Sequence, residues 1–118
     1  MDDPELQDGL KSYWDPAIVA KHLRSYLTKK QGEQEITFIV TFDKDGVSKH
    51  PNHIAVHKGV AEVFEEGKFP FDVLTLNTVN TMRKYSGYVD IYNCTHEHMH
   101  YILLTPYTAL RAMALHHS

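Results

Sequence analysis

Residues 35–46, EITFIVTFDKDG, form the stretch from which the fold class is predicted. In an extended chain one face carries Ile36, Phe38, Val40 and Phe42, and the other carries Thr37, Ile39 and Thr41, so β-forming residues occupy both faces. This pattern is typical of a strand with two covered faces. The segment DKDG that follows is a turn signal, so we expect a hairpin whose second strand contains Ile54 and Val56. Pro51 would then mark an edge strand or a bulge.

Helices are predicted on both sides of this hairpin. Asp15 followed by Pro16 is an N-cap with proline at the first helical position, and Gly32 supplies a stop. A short helix is expected over residues 59–67. Apolar residues at every third position favour a further helix over residues 72–85, although residues 73–76 alone also fit a strand.

The C-terminal third predicts a second antiparallel hairpin, from residues 88–93 and 97–104, followed by a helix over residues 107–115. The complete order predicts an α+β fold: an antiparallel sheet built from two hairpins, with N-terminal, central and C-terminal helices packed on it. Residues 13–118 are expected to form a single domain, preceded by a flexible acidic lead-in at residues 1–12.

Composition narrows the function classes. The chain has 118 residues, a formal net charge of −3 and one cysteine, Cys94, so an intrachain disulfide or a cysteine-rich zinc framework is excluded. The charge balance argues against non-specific nucleic-acid binding. No apolar run reaches the roughly 18–20 residues that a membrane span needs, and the acidic N-terminus is unlike a signal peptide. We therefore expect a cytoplasmic protein without a membrane partner.

Nine histidines are the most unusual feature of the chain. Six of them form two groups, which are His50, His53 and His57, and then His96, His98 and His100. Alternate residues of a strand share a face, and neutral imidazole is a common metal ligand. No cofactor is expected, and these histidines are predicted to be structural, because Ile102 and Leu104 continue the strand face of His98 and His100 into an apolar core. The alternative is a divalent-metal site formed by His96, His98 and His100, with His57 as a ligand from elsewhere.

His98-Met99-His100, followed by the apolar residues 101–104, resembles the metal-binding strand of HUH rolling-circle endonucleases, and residues 38–42 resemble their first strand motif. The resemblance implies a metal that polarises the scissile phosphate and a tyrosine that attacks it, here Tyr107, Tyr13 or Tyr26. Residues 96–100 also resemble the histidine-triad nucleotide hydrolases. That family has apolar residues between its histidines, and Glu97 breaks this pattern.

No specific catalytic signature occurs elsewhere in the chain, and tyrosines cluster around the second hairpin. Tyrosine is favoured at protein interfaces, so Tyr88, Tyr92 and Tyr101 are the predicted partner-binding residues. We therefore predict a small non-enzymatic binding or regulatory domain, cellular or viral, that contacts a protein partner or forms a homodimer. The alternative is a divalent-metal-dependent phosphodiesterase or nuclease with an HUH-like His-x-His strand.

Overall fold

The computed structural model describes residues 3–7, 9, 12–33, 36–86, 89–90, 92, 105 and 107–115. The chain divides into two compact units, Met1–Thr81 and Met82–Ser118. The first unit contains strands β1 (Phe38–Phe42) and β2 (Asp72–Leu76). These strands pair in parallel, with Phe38 opposite Asp72 and Phe42 opposite Leu76. The predicted antiparallel sheet of two hairpins is therefore wrong for the described residues.

The chain crosses over after β1 instead of reversing. Helices α2 (Gly46–Lys49) and α3 (Pro51–Glu65) follow the strand, and they carry the chain back to the start of β2. Pro51 lies at the beginning of α3 with His50 as the N-cap, a position where a missing N–H costs no helical hydrogen bond. The expected returning strand with Ile54 and Val56 is thus the first half of a helix.

The helix predicted after Asp15 is confirmed as α1 (Pro16–Lys30). The Asp15 carboxylate accepts a hydrogen bond from the Ala17 backbone N–H, and Lys29 and Lys30 occupy the last turn, where cations suit the helix dipole. Before α1, a single 3-10 turn (Pro4–Leu6) lies close to the helix, since Asp3 Oδ2 is 2.7 Å from His22 Nε2.

Helices α1 and α3 pack side by side and run in the same direction. Gly59 of α3 lies against Pro16 and Val19, and further along Arg24 pairs with Glu62 and Glu66. Residues of both helices and of the segment before β2 form a buried apolar cluster of Ala20, Leu27, Val63 and Phe71. The two helices therefore form one layer against the sheet.

The two faces of the sheet have different surroundings. Ile39 and Val73 are neighbours in register and pack against the helical core. The opposite face carries Phe38, Val40 and Leu76, whose exposed fractions are 53%, 56% and 50%. Within the part of the chain that the structure describes, one sheet face is covered and the other is open.

Residues 72–85 begin with strand β2 rather than the favoured helix, and only the short helix α4 (Thr81–Lys84) follows. Helix α5 (Tyr107–Ala114) agrees with the helix predicted there. Most of the second predicted hairpin, residues 88–93 and 97–104, lies outside the described residues. Among the helices that the structure does describe, none is both long and apolar enough to cross a membrane.

Candidate functional site

Polar side chains gather where β1 and β2 end. Asp43 follows β1 directly, and Thr78 lies two residues after β2. His50 is the N-cap of helix α3. In parallel sheets the carboxyl ends of the strands share one edge, and ligands bind outside that edge. The strand order thus brings together residues from positions 43 to 78 of the chain.

Asp43 is the hub of this edge. Its Oδ1 accepts hydrogen bonds from the Asp45 N–H at 3.2 Å, the Val47 N–H at 3.5 Å and the Thr78 hydroxyl at 2.6 Å, while Oδ2 accepts from the Thr78 N–H. Burial raises the pKa of the Asp43 carboxyl, but the hydrogen bonds from Thr78, Val47 and Asp45 outweigh burial and hold that pKa below its ordinary value. Asp43 is therefore ionised at neutral pH.

The four-residue segment α2 (Gly46–Lys49), which Asp43 contacts through Val47 and which is called the loop below, has an unusual backbone. Gly46, Val47 and Lys49 have φ angles of 63°, 60° and 59°. Left-handed φ values are natural for glycine but unfavourable for a β-branched residue such as valine. Such conformations persist only where surrounding contacts impose them, and they are concentrated at functional sites.

Three half-buried histidines occupy one side of the start of α3. His50 is the N-cap, and His53 and His57 follow at spacings of three and four residues, so all three lie on neighbouring helical positions. The rings of His50 and His53 have centroids 4.8 Å apart, and the His53 ring stacks on Phe42 at 3.9 Å. Two imidazoles are thus held close together at the sheet edge.

The hydrogen bonds determine which ring nitrogen carries the proton. His53 Nδ1 lies 3.0 Å from the Gly46 carbonyl oxygen, and His57 Nδ1 lies 3.0 Å from the Phe42 carbonyl oxygen. A carbonyl only accepts, so both Nδ1 atoms donate, and in the neutral rings both Nε2 atoms then carry a lone pair. His50 is the reverse, because its Nδ1 accepts from the Asn52 N–H at 3.3 Å. A neutral His50 therefore carries its proton on Nε2.

The predicted site residues have different outcomes. His57 lies on helix α3, where it follows His53 at a spacing of four residues. Tyr92 is 91% exposed. The remaining candidates, His96, His98, His100, Tyr88 and Tyr101, lie outside the described residues. The metal set and the partner surface therefore stay predictions, and no group of three or more metal-binding side chains occurs among the residues that the structure describes.

Sequence reasoning missed His50, His53, Asp43 and Thr78 as site residues. The signal for the two histidines was available, since His50-Pro51 repeats the cap-and-proline pattern of Asp15-Pro16 and predicts a helix that presents His53 in its first turn. Asn52, between His50 and His53, is 2% exposed, and its side-chain atoms Nδ2 and Oδ1 have no hydrogen-bond partner among the described residues. No comparable sequence signal marks Thr78.

A separate cavity of about 400 Å³ lies at the other end of the strands, near Ile36 and Phe71. Its lining is mostly apolar and contains no histidine or cysteine. The size would suit a small ligand, but its side chains offer one carboxylate, Glu33, and no partner for acid–base chemistry. The sheet edge with His50, His53 and His57 is therefore the stronger candidate for catalysis.

Comparison with known proteins finds relatives that share one name. The chain is 40% identical over 88 residues to a protein of Schizosaccharomyces pombe described as a probable N-acetylglucosaminyl-phosphatidylinositol de-N-acetylase. It is 38% identical over 92 residues to the N-acetylglucosaminyl-phosphatidylinositol de-N-acetylase of Bos taurus, and 28% identical over 113 residues to a probable enzyme of the same name in Dictyostelium discoideum. By name, these relatives are de-N-acetylases.

The matches cover 75%, 76% and 73% of this chain but only 34%, 32% and 42% of the respective relatives. The chain therefore spans about a third of the length of the first two relatives. No family model matches the chain. No solved structure matches it either.

These relatives correct several predictions. The non-enzymatic binding or regulatory domain, cellular or viral, is wrong, because the similar proteins are named as enzymes. The HUH-like phosphodiesterase or nuclease is wrong as well, since removal of an N-acetyl group breaks an amide bond and not a phosphodiester. The cytoplasmic location is overturned by the same names, in which the substrate is a phosphatidylinositol, a membrane lipid.

Proposed function

We propose that this chain supplies part of the active site of a de-N-acetylase acting on N-acetylglucosaminyl-phosphatidylinositol. The observation that carries the proposal is the pair of adjacent imidazoles at the carboxyl edge of a parallel sheet, in which His50 Nδ1 accepts from a backbone N–H and His53 Nδ1 faces a backbone carbonyl. The similarity to three proteins named for this activity supports it. The reaction adds water across the amide bond and yields acetate and the free amine.

His53 would present its Nε2 lone pair to the reacting groups. The bond from Nδ1 to the Gly46 carbonyl fixes the ring, and metal-ligating histidines are oriented in the same way by their second nitrogen. His53 therefore fits a divalent metal, with His57 Nε2 as a further candidate ligand, and the remaining ligands would come from outside the described residues. A metal bound there would polarise the amide carbonyl and lower the pKa of water.

His50 would act as the complementary donor. Attack of water on the amide carbon places negative charge on the carbonyl oxygen, and an N–H directed at that oxygen stabilises the charge. The Nε2–H of His50 is such a donor while its Nδ1 accepts from the Asn52 N–H.

The His50 position has a second property that favours a chemical role. Serine, threonine, aspartate and asparagine are the preferred N-caps, because their short side chains accept from the first helical N–H groups. Histidine is not among them, yet it caps α3. A chemical role of the second ring nitrogen explains this choice better than helix stability does.

A chimera tests the proposed function. We would replace the aligned 88 residues of the Schizosaccharomyces pombe relative with those of this chain and measure acetate released from N-acetylglucosaminyl-phosphatidylinositol in mixed vesicles. A second chimera with the same residues in shuffled order is the negative control. We expect acetate release from the first chimera alone. A folded, inactive first chimera would contradict the proposal.

A further inference from the structure

We propose that Thr78 is a positioning residue, which fixes the tautomer of His53 through the peptide group between Gly46 and Val47. The catalytic consequence rests on the proposed function, whereas the effect on the tautomer does not. Thr78 touches neither histidine in any described contact. It acts through the loop that carries the acceptor of the His53 proton.

The argument begins with one peptide plane. The Val47 N–H donates to Thr78 Oγ1 at 2.9 Å, and the Gly46 carbonyl accepts from His53 Nδ1 at 3.0 Å. This N–H and this carbonyl belong to the same peptide bond, which is planar and trans, so they point in opposite directions. Fixing the N–H therefore fixes the direction of the carbonyl.

The loop would not hold this orientation by itself. Val47 has a φ of 60°, which is unfavourable for a β-branched residue, so contacts around it must impose this conformation. The N–H of Val47 is restrained by Thr78 Oγ1 and, at the longer distance of 3.5 Å, by Asp43 Oδ1. The threonine hydroxyl is thus the closer of the two acceptors that hold the peptide.

Asp43 completes a continuous chain of hydrogen bonds. The Thr78 hydroxyl donates to Asp43 Oδ1, accepts from the Val47 N–H, and through that peptide reaches the Gly46 carbonyl and His53 Nδ1. Each bond in such a chain polarises the next one. The negative charge of Asp43 therefore strengthens the Gly46 carbonyl as an acceptor and favours the proton on Nδ1, which leaves Nε2 free.

The prediction is tested by the nitrogen resonances of the histidine rings in the 15N-labelled chain, without substrate or metal. In the wild type, we expect His53 Nδ1 to be protonated and Nε2 to be unprotonated. Thr78→Val keeps the shape of the side chain but removes the hydroxyl, and should shift His53 toward the opposite tautomer. Thr78→Ser keeps the hydroxyl and should restore the wild-type resonances.

His57 is an internal control, because its Nδ1 donates to the Phe42 carbonyl and not to the loop that Thr78 holds. Its resonances should stay unchanged in both variants, which also reports that the first turns of α3 are folded. If Thr78→Val fails to fold, Asp43→Asn tests the same chain of hydrogen bonds from its other end and should again shift His53 alone. Unchanged His53 resonances in a folded variant would overturn the inference.

Activity gives a second readout. In the chimera, loss of an outer hydrogen-bond partner of this kind should lower kcat by about 10–100-fold. Thr78→Ser should recover most of that loss, and KM should change little if Thr78 acts only through the Gly46–Val47 peptide. If Thr78→Val alters the His53 tautomer but the unsubstituted chimera is inactive, this inference stands and the proposed function is rejected. The two failures are therefore distinguishable.

Discussion

Asp43 shows how a single carboxylate organises the sheet edge. It joins the loop after β1 to the loop after β2 through hydrogen bonds from Asp45, Val47 and Thr78. These donors prefer the ionised carboxylate, which explains the direction of its pKa change. Its contribution to stability must therefore depend on pH.

Acid should remove the stability that Asp43 provides. A carboxyl whose folded pKa lies below its unfolded value of 3.8 contributes its full stabilisation above that pH and loses it as the pH falls through the folded pKa. We expect Asp43→Asn to melt at a lower temperature than the wild type at pH 7, with the difference shrinking below pH 3.8. Thermal melts across this range check the prediction, and a pH-independent difference would contradict it.

His50 allows helix capping to be separated from chemistry. Serine is a better N-cap than histidine but is too short to present a donor to substrate. His50→Ser should leave the free energy of unfolding unchanged or raise it by up to about 1 kcal/mol. Acetate release by the chimera should fall by about 100-fold, the lower end of the loss measured for a single oxyanion donor. A variant of full activity would remove His50 from the mechanism.

At the scale of elements, the main error of sequence reasoning was the segment after β1. Both a hairpin and a crossover begin with a turn, and DKDG fits either one. Pro51 decided the matter, because proline weakens a strand but suits the first position of a helix. Asp15-Pro16 predicted α1 correctly by the same rule, so His50-Pro51 was a sufficient local signal for the start of α3.

The contact between α1 and α3 depends on Gly59. A Cβ at this position would lie 2.8 Å from the Pro16 carbonyl oxygen and 2.8 Å from Val19 Cβ, and the backbone oxygen has little freedom to move. Gly59→Ala should destabilise the fold by about 1–3 kcal/mol, less the gain of up to about 1 kcal/mol in helix propensity. Chemical denaturation checks this, with exposed Lys58→Ala on the same helix as the control. A more stable Gly59→Ala variant would contradict the packing.

The two faces of β1 should respond differently to the same chemical change. Ile39 packs on the helical core, whereas Val40 is 56% exposed. Ile39→Thr should cost about 1–3 kcal/mol because it places a hydroxyl against the core. Val40→Thr should change the free energy of unfolding by no more than about 0.5 kcal/mol. Equal losses in denaturant unfolding would show that both faces are covered in solution.

For the whole molecule, local signals predicted α1, β1 and the C-terminal helix, but not the sheet. Strand direction depends on what pairs with β1, and 29 residues separate the end of β1 at Phe42 from the start of β2 at Asp72. The site was missed for the same reason, since Asp43, Thr78 and the start of α3 meet only once the strands are parallel. The abundance of histidine drew attention to His96, His98 and His100, which lie outside the described residues and stay a prediction, whereas the described edge carries the other group, His50, His53 and His57.

The measurement that tests the central claim most directly is the initial rate of acetate release by the chimera carrying His53→Ala. Its matched control is Glu65→Ala, an exposed position on the same helix about 18 Å further along the axis. We predict that His53→Ala abolishes acetate release while Glu65→Ala retains the rate of the unsubstituted chimera. Undiminished release by a folded His53→Ala chimera would contradict the assignment of this edge as the active site.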